Sequence, residues 1–194
     1  MKFIKNYLNE VNQICDKIDV SKLEKIIQII SDIKKKKGRI FFLGVGGSAG
    51  NCSHAVNDFR KLANIECYAP TDNSSELTAR INDDGWENVF KDWLKVSRPS
   101  SKDLIFFLSV GGGSQKKKIS INLIVAAKFA RLKKIKTVSI LGRRDGYLAK
   151  NSTVSLIVPC VNSNHITPHS ESWQTVIWHL IISHPRIKEI NTKW

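Results

Sequence analysis

Two hydrophobic periods share this chain. Near the start, apolar residues recur every three to four positions; later, short unbroken apolar runs take over and alternate with helical spacing. Phe3, Tyr7, Val11 and Ile14 predict an amphipathic helix over residues 2–17. Leu23, Ile26, Ile27, Ile30 and Ile33 form a second stripe, predicted to begin at Ser21, where Ser-Lys-Leu-Glu reads as a capping box, and to end at Gly38. The runs "RIFFLGV", "IECYA", "DLIFFLSV", "KTVSILG" and "TVSLIVP" read as strands. Between and after them, helices are predicted from about Ser48 to Leu62, across "WENVFKDWLKV", up to about Lys134, and from near Pro168 through "TPHSESWQTVIWHLIISH". The stretch "PTDNSSELTARINDDG" reads as a polar connection. Strands alternating with helices predict an α/β fold with a parallel sheet covered on both faces. With no repeat and no long linker, one domain is expected over 1–194: a helical lead-in at 1–37 that must pack on something, such as another subunit, and an α/β core at 38–194.

Two of the predicted strands run into glycine loops. Gly44-Val45-Gly46-Gly47-Ser48-Ala49 fits the dinucleotide fingerprint G-x-G-x-x-A between a strand and a helix. The acidic residue that would bind a ribose is missing from the end of the next strand, because Glu66 precedes that point and Asp72 lies past it. "LSVGGGS", Leu108–Ser114, repeats the same design. The two loops are expected to place Ser48, Ser109 and Ser114, with Gly46 and Gly47, at helix N-termini. Free N–H groups and a partial positive charge there suit a compact phosphate monoester better than a dinucleotide. Arg60 or Lys61, or a neighbouring chain, could add a full positive charge. Neither loop carries G-K-[ST], which disfavours nucleotide hydrolysis.

The helix leaving the first loop carries His54 and Asp58, four residues apart and so on one face. On the last helix Glu171 and His179 lie eight residues apart, about 80° around the axis at ~100° per residue. Imidazoles and carboxylates that converge in this way can hold zinc or a similar divalent ion. The same spacing also fits a surface pair at His54–Asp58 and a satisfied core histidine at His179. His165, His169 and His184 show no comparable pairing and are not taken as ligands.

Composition narrows the choice of function. Charged residues are 25% and hydrophobic residues 42% of the 194, an ordinary soluble balance. No apolar run approaches the ~20 residues of a membrane span, and the first residues do not read as a secretory signal, so a cytoplasmic setting is expected. Cys15, Cys52, Cys67 and Cys160 are scattered without a C-x-x-C pair and read as incidental thiols. The net charge of +14 is mostly lysine runs. Without interleaved aromatics it fits an anionic small substrate better than nucleic acid.

"FLGVGGSAGNCSHAVNDF", "LSVGGGS", "INDDGWENVF" and "TPHSESWQTVIWHL" together resemble the phosphoheptose isomerases of the sugar-isomerase (SIS) domain family. The resemblance covers most of the chain, lead-in helices included. It implies a three-layer sandwich around a five-stranded parallel sheet, assembled as a homotetramer with active sites at subunit interfaces. It also implies conversion of sedoheptulose 7-phosphate to glycero-manno-heptose 7-phosphate for surface glycans such as lipopolysaccharide or capsule. Position by position, it makes Ser48, Ser109 and Ser114 phosphate ligands and Asp83 a substrate contact. His54 and His179 become ligands of one zinc per site. Asp58 stands at the family's catalytic glutamate, and Glu171 at its glutamine ligand.

Four departures stand out: the shorter Asp58, Val45 for an asparagine, Val110 and Gly111 for hydroxyl residues, and the acidic Glu171. The expected chemistry is proton transfer through a cis-enediol, with Asp58 as base and His179 as acid/base, while Asp58 and Glu171 are also counted among the metal-side residues. One atom cannot be a tight ligand and a free base at once. A different class of function is a non-catalytic sugar-isomerase module that binds a sugar phosphate or a replication-initiation protein. An NAD-dependent oxidoreductase is the third.

Overall fold

A computed structural model describes residues 1–192. Five strands form one all-parallel sheet in the order β2-β1-β3-β4-β5. They are β1 (Ile40–Leu43), β2 (Cys67–Tyr68), β3 (Leu104–Ser109), β4 (Lys136–Leu141) and β5 (Val154–Ile157). β1 and β3 are buried along their whole length, as strands covered on both faces must be. Alternate side chains feed two cores. Ile40, Phe42, Leu104 and Phe106 enter one, packed under α2 (Val20–Lys35), α3 (Gly47–Ala63) and α8 (Ile166–Ser183). Phe41, Leu43, Ile105 and Phe107 enter the other, under α5 (Val89–Ser97), α6 (Ile121–Leu132) and α7 (Tyr147–Asn151). The expected three-layer arrangement of five parallel strands is present.

Asp103 fastens the starts of β1 and β3. It is 3% exposed and accepts from the Arg39 backbone N–H at 2.8 Å, the Arg39 guanidinium at 3.1 Å and the Ser100 N–H at 2.7 Å. Burial pushes its carboxyl up, but the hydrogen bonds from Arg39 and Ser100 outweigh this and hold it below the usual carboxylate range.

Several boundaries differ from the sequence expectation. α2 begins at Val20 under Asp19, whose carboxylate accepts the Lys22 N–H; the Ser21 hydroxyl donates to the same carboxylate instead of heading a capping box. α2 otherwise buries the whole predicted isoleucine stripe. α1 (Lys2–Lys17) buries only Ile14 fully and leaves Phe3 67% exposed. The polar connection folds into a 3-10 turn at Pro70–Asp72 and α4 (Ser74–Asp84), capped by Asn73. Polar residues suffice there because α4 buries none of its residues completely. The helix after the second glycine loop starts only at Ile121, with an irregular turn closed by Ser114 and Ile119 in between. No helix among the described residues is long and apolar enough to cross a membrane.

Candidate active site

In the strand order 2-1-3-4-5, the sheet changes direction between β1 and β3. Ligands in such sheets gather beyond the carboxyl ends of the strands at that point. Both glycine loops lie there. Gly46 caps α3 at φ 63°, ψ −130°, a backbone state open to little but glycine. Ser48 follows in the first turn, 2% exposed. At the end of β3, Ser109 Oγ accepts the Gly112 N–H at 3.0 Å, which folds the second loop back on its own strand and leaves the hydroxyl hydrogen to donate. Gly113 and Gly112 accept from the Tyr147 and Leu148 N–H groups of α7, at 2.8 and 2.9 Å.

Beside this loop lies a hollow of about 160 Å³ whose lining includes Ser114, Lys117, Arg143 and Asp145. Ser114 does not sit at a helix N-terminus as expected; its Oγ accepts the Lys117 N–H at 3.3 Å within the turn. Lys117 lies within one of the lysine runs that make up the net charge, and Arg143 carries no local signal at all. Arg60 points away from the loops: its guanidinium donates to the Cys67 carbonyl at 3.1 Å and lies over Tyr68.

α3 and α8 pack side by side and are joined by polar contacts. The Asn51 amide donates to the Glu171 carbonyl and to Gln174 Oε1, both at 3.0 Å, and its Oδ1 accepts from Thr175. Further along the two helices, three of the four predicted residues meet. His179 Nε2 lies 3.6 Å and His54 Nε2 3.9 Å from Asp58 Oδ2. Asp58 Oδ1 is taken by the Asn57 amide at 2.8 Å. The fully buried Trp178 backs both rings, with centroids 4.7 Å from His54 and 3.6 Å from His179. Both imidazoles remain half exposed, so the cluster opens to solvent. One ligand atom from each of His54, Asp58 and His179 lies within 4.8 Å of the others.

Glu171, expected as a metal ligand, and Asp83, expected as a substrate contact, lie outside that group. Glu171 turns its carboxylate onto Gly47 at the start of α3, where a β-carbon on Gly47 would come within 2.7 Å of it. A helix N-terminus attracts a carboxylate just as it attracts a phosphate. Asp83 is exposed in the last turn of α4 and accepts from its neighbour Asn82. Among the thiols, Cys52 and Cys67 are buried, which pushes both well up, while Cys15 and Cys160 are exposed; all are free.

No family model matches the chain. A phosphoheptose isomerase of Akkermansia muciniphila is 31% identical over 165 residues, 82% of this chain and 81% of its own length. The enzyme of the same name from Syntrophotalea carbinolica is 27% identical over 187 residues, 91% and 89% of the two chains. The solved structure of phosphoheptose isomerase from Neisseria gonorrhoeae superposes with a TM-score of 0.80 at 22% identity, covering 93% of this chain and 96% of its own. A sugar-isomerase fold with two glycine loops at its switch point and an imidazole–carboxylate cluster beside them thus accompanies a sequence match over four fifths of both chains. The chain belongs to the phosphoheptose isomerase family.

Proposed function

We propose that the protein isomerises sedoheptulose 7-phosphate to glycero-manno-heptose 7-phosphate, at the cluster where α3 and α8 meet. The observation that carries this reading is the convergence of His54, Asp58 and His179 on α3 and α8, with α3 leaving the first of two serine-bearing glycine loops. The whole chain acts as one domain, with residues 1–37 as its lead-in.

The phosphate is held by Ser48, Ser109 and Ser114 with the loop backbone at Gly46 and Gly47. Helix α3 contributes the partial positive charge of its first turn. Lys117, which lines the adjoining hollow, supplies a full charge within reach of the second loop, while Arg143 in the same lining is paired with Asp145. Holding the substrate far from its reacting carbons lets binding energy position C1 and C2 at the cluster.

Asp58 Oδ2 then removes the C1 proton, giving a cis-enediol. His179 Nε2 relays protons between the two oxygens, and the proton returns at C2 to leave the carbonyl at C1. Backed by Trp178, both rings keep their orientation through these steps.

Two imidazoles and one carboxylate, each with an atom turned to a common point and an open solvent side, match the donor set of a catalytic zinc site. His54, His179 and Asp58 would hold one such ion, which when bound would polarise the substrate carbonyl. Each donor atom serves one partner at a time, so base and ligand are alternative roles for Asp58, as proton relay and ligand are for His179 Nε2, and experiment separates them. Glu171, placed over Gly47, shapes the anion cradle in this proposal instead of completing the metal set. Asp83 would reach the substrate only through a rearrangement of α4 or through a neighbouring subunit.

Assembly as a homotetramer belongs to the same proposal. It is supported by Phe3, Ile4 and Leu8 exposed on α1, and by Val176 and Leu180 exposed on α8 to either side of His179. A cytoplasmic setting and use of the product for surface glycans complete it. The direct test is conversion of the ketose phosphate to the aldose phosphate by the purified chain, with loss of conversion in His179→Ala.

A further inference from the structure

At the N-terminal end of α8, a second cluster joins three separate segments, and nothing in the isomerase reading uses it. Glu10 of α1, His165 of the short turn before α8, and His169 of the first turns of α8 meet at one point. His165 Nδ1 and His169 Nε2 each lie 2.7 Å from Glu10 Oε2. The sequence reading set both histidines aside as unpaired. Their partner is the distant Glu10, and their own four-residue spacing is the local signal that was available.

Several features make this a prepared ligand set. Asn162 donates to Glu10 Oε1 at 2.7 Å, which fixes the carboxylate and leaves Oε2 aimed between the two rings. The Asn162 amide, followed by the His169 and His165 rings, holds the Glu10 carboxyl down at about 2, so it is an anion at neutral pH. Tyr7 stacks on His169 at 4.6 Å and sets its plane. His169 is 4% exposed and Glu10 is mostly covered. Metal-site carboxylates and imidazoles are commonly fixed by outer partners in this way.

We propose that Glu10, His165 and His169 form a second divalent-cation site, of zinc type, that clasps the lead-in helix α1 to α8. Two imidazoles and one carboxylate favour zinc or its late-transition neighbours over calcium or magnesium, which prefer all-oxygen sets. Tetrahedral ligands about 2.0–2.1 Å from a zinc ion stand roughly 3.3 Å apart, so admitting the ion needs an outward shift of about half an ångström per contact. The clasp also has a structural purpose. α1 buries a single residue completely, Ile14, and has little apolar packing of its own to hold it against the domain.

The site is independent of the isomerase reading and is tested separately from it. Metal-free full-length chain carrying His54→Ala and His179→Ala, with the first cluster disabled, is titrated with Co²⁺ alone. Visible spectra are recorded, and bound metal is counted after gel filtration. The expected result is one Co²⁺ per chain with the intense visible bands of a tetrahedral site. Adding Glu10→Gln should weaken that binding at least about tenfold, the lower scale seen when even an outer partner of a ligand is removed. Glu10→Gln retains an acceptor for Asn162, and circular dichroism of the metal-free variants confirms that the fold persists. A stabilising shift of the melting temperature by Co²⁺ in the double variant, lost with Glu10→Gln, provides a second readout. If the double variant takes up no Co²⁺, or if its bound Co²⁺ is indifferent to Glu10→Gln and His169→Ala, the three residues are a hydrogen-bonded latch and the proposal is overturned.

Discussion

Asp58 on α3 and His179 on α8 bring Oδ2 and Nε2 to 3.6 Å, although the two helices are separated in sequence by four strands and four α-helices. The approach depends on the polar seam one turn earlier, where Asn51 bonds to both the backbone of Glu171 and the side chain of Gln174. With its other oxygen engaged by Asn57, Asp58 has one oxygen to offer. That fact sharpens the first test.

Asp58→Asn keeps an oxygen that can still ligate but cannot accept a proton. Turnover should fall by about 10²–10⁴, the usual contribution of a positioned base, while bound zinc and phosphate affinity persist. Steady-state kinetics together with metal analysis of the same preparation read both. Loss of zinc with the turnover would make Asp58 a ligand first.

Glu171 places a negative charge over the loop that grips a negative substrate. Two unit charges 4 Å apart in water interact by about 1 kcal/mol, and by more where solvent is excluded. Glu171→Gln should therefore lower KM for the phosphorylated substrate by about fivefold or more with bound metal unchanged. Competition by inorganic phosphate should strengthen in parallel. A drop in bound zinc would return Glu171 to the metal set.

Asn51 is a positioning residue. Removing its side chain in Asn51→Ala takes the donor from the buried Gln174 Oε1 and the acceptor from the Thr175 hydroxyl, at a cost of about 1–3 kcal/mol. kcat should fall more than KM rises, because the two halves of the cluster lose register while the glycine loops do not. Denaturant melts and Michaelis curves on the same variant separate the two effects.

The Asp103 clamp supplies a pH signature. Its pKa is lowered in the folded state, so it stabilises the fold above the ordinary carboxylate pKa, and that stability fades as pH falls through the folded value. Asp103→Ala should cost about 3 kcal/mol at pH 7, the lower range for breaking a buried pair. The gap between wild type and variant should narrow below about pH 4. Urea midpoints from pH 7 down to pH 3 give the comparison.

The sheet and its covering helices were legible because continuous apolar runs and the isoleucine stripe of α2 have distinct periods, and both glycine loops announce strand ends. His54 and Asp58 were legible because one turn of helix joins them. What escaped the sequence was set by distant contacts. Glu171 was expected at the metal but lies over Gly47, because Gly47 lacks the β-carbon that would exclude its carboxylate. His165 and His169 gave no reason to look to α1 for their partner. Arg143 reaches the second glycine loop only because β4 runs beside β3. α4 was read as a connection because it needs no apolar stripe, and the exposed apolar face of α1 remains uncovered within one chain.

The most direct measurement is proton NMR of sedoheptulose 7-phosphate incubated with the protein in deuterated buffer. The account predicts a new anomeric aldose signal with deuterium from solvent at C2, both abolished in Asp58→Asn. Unchanged spectra from folded, zinc-loaded protein would contradict it.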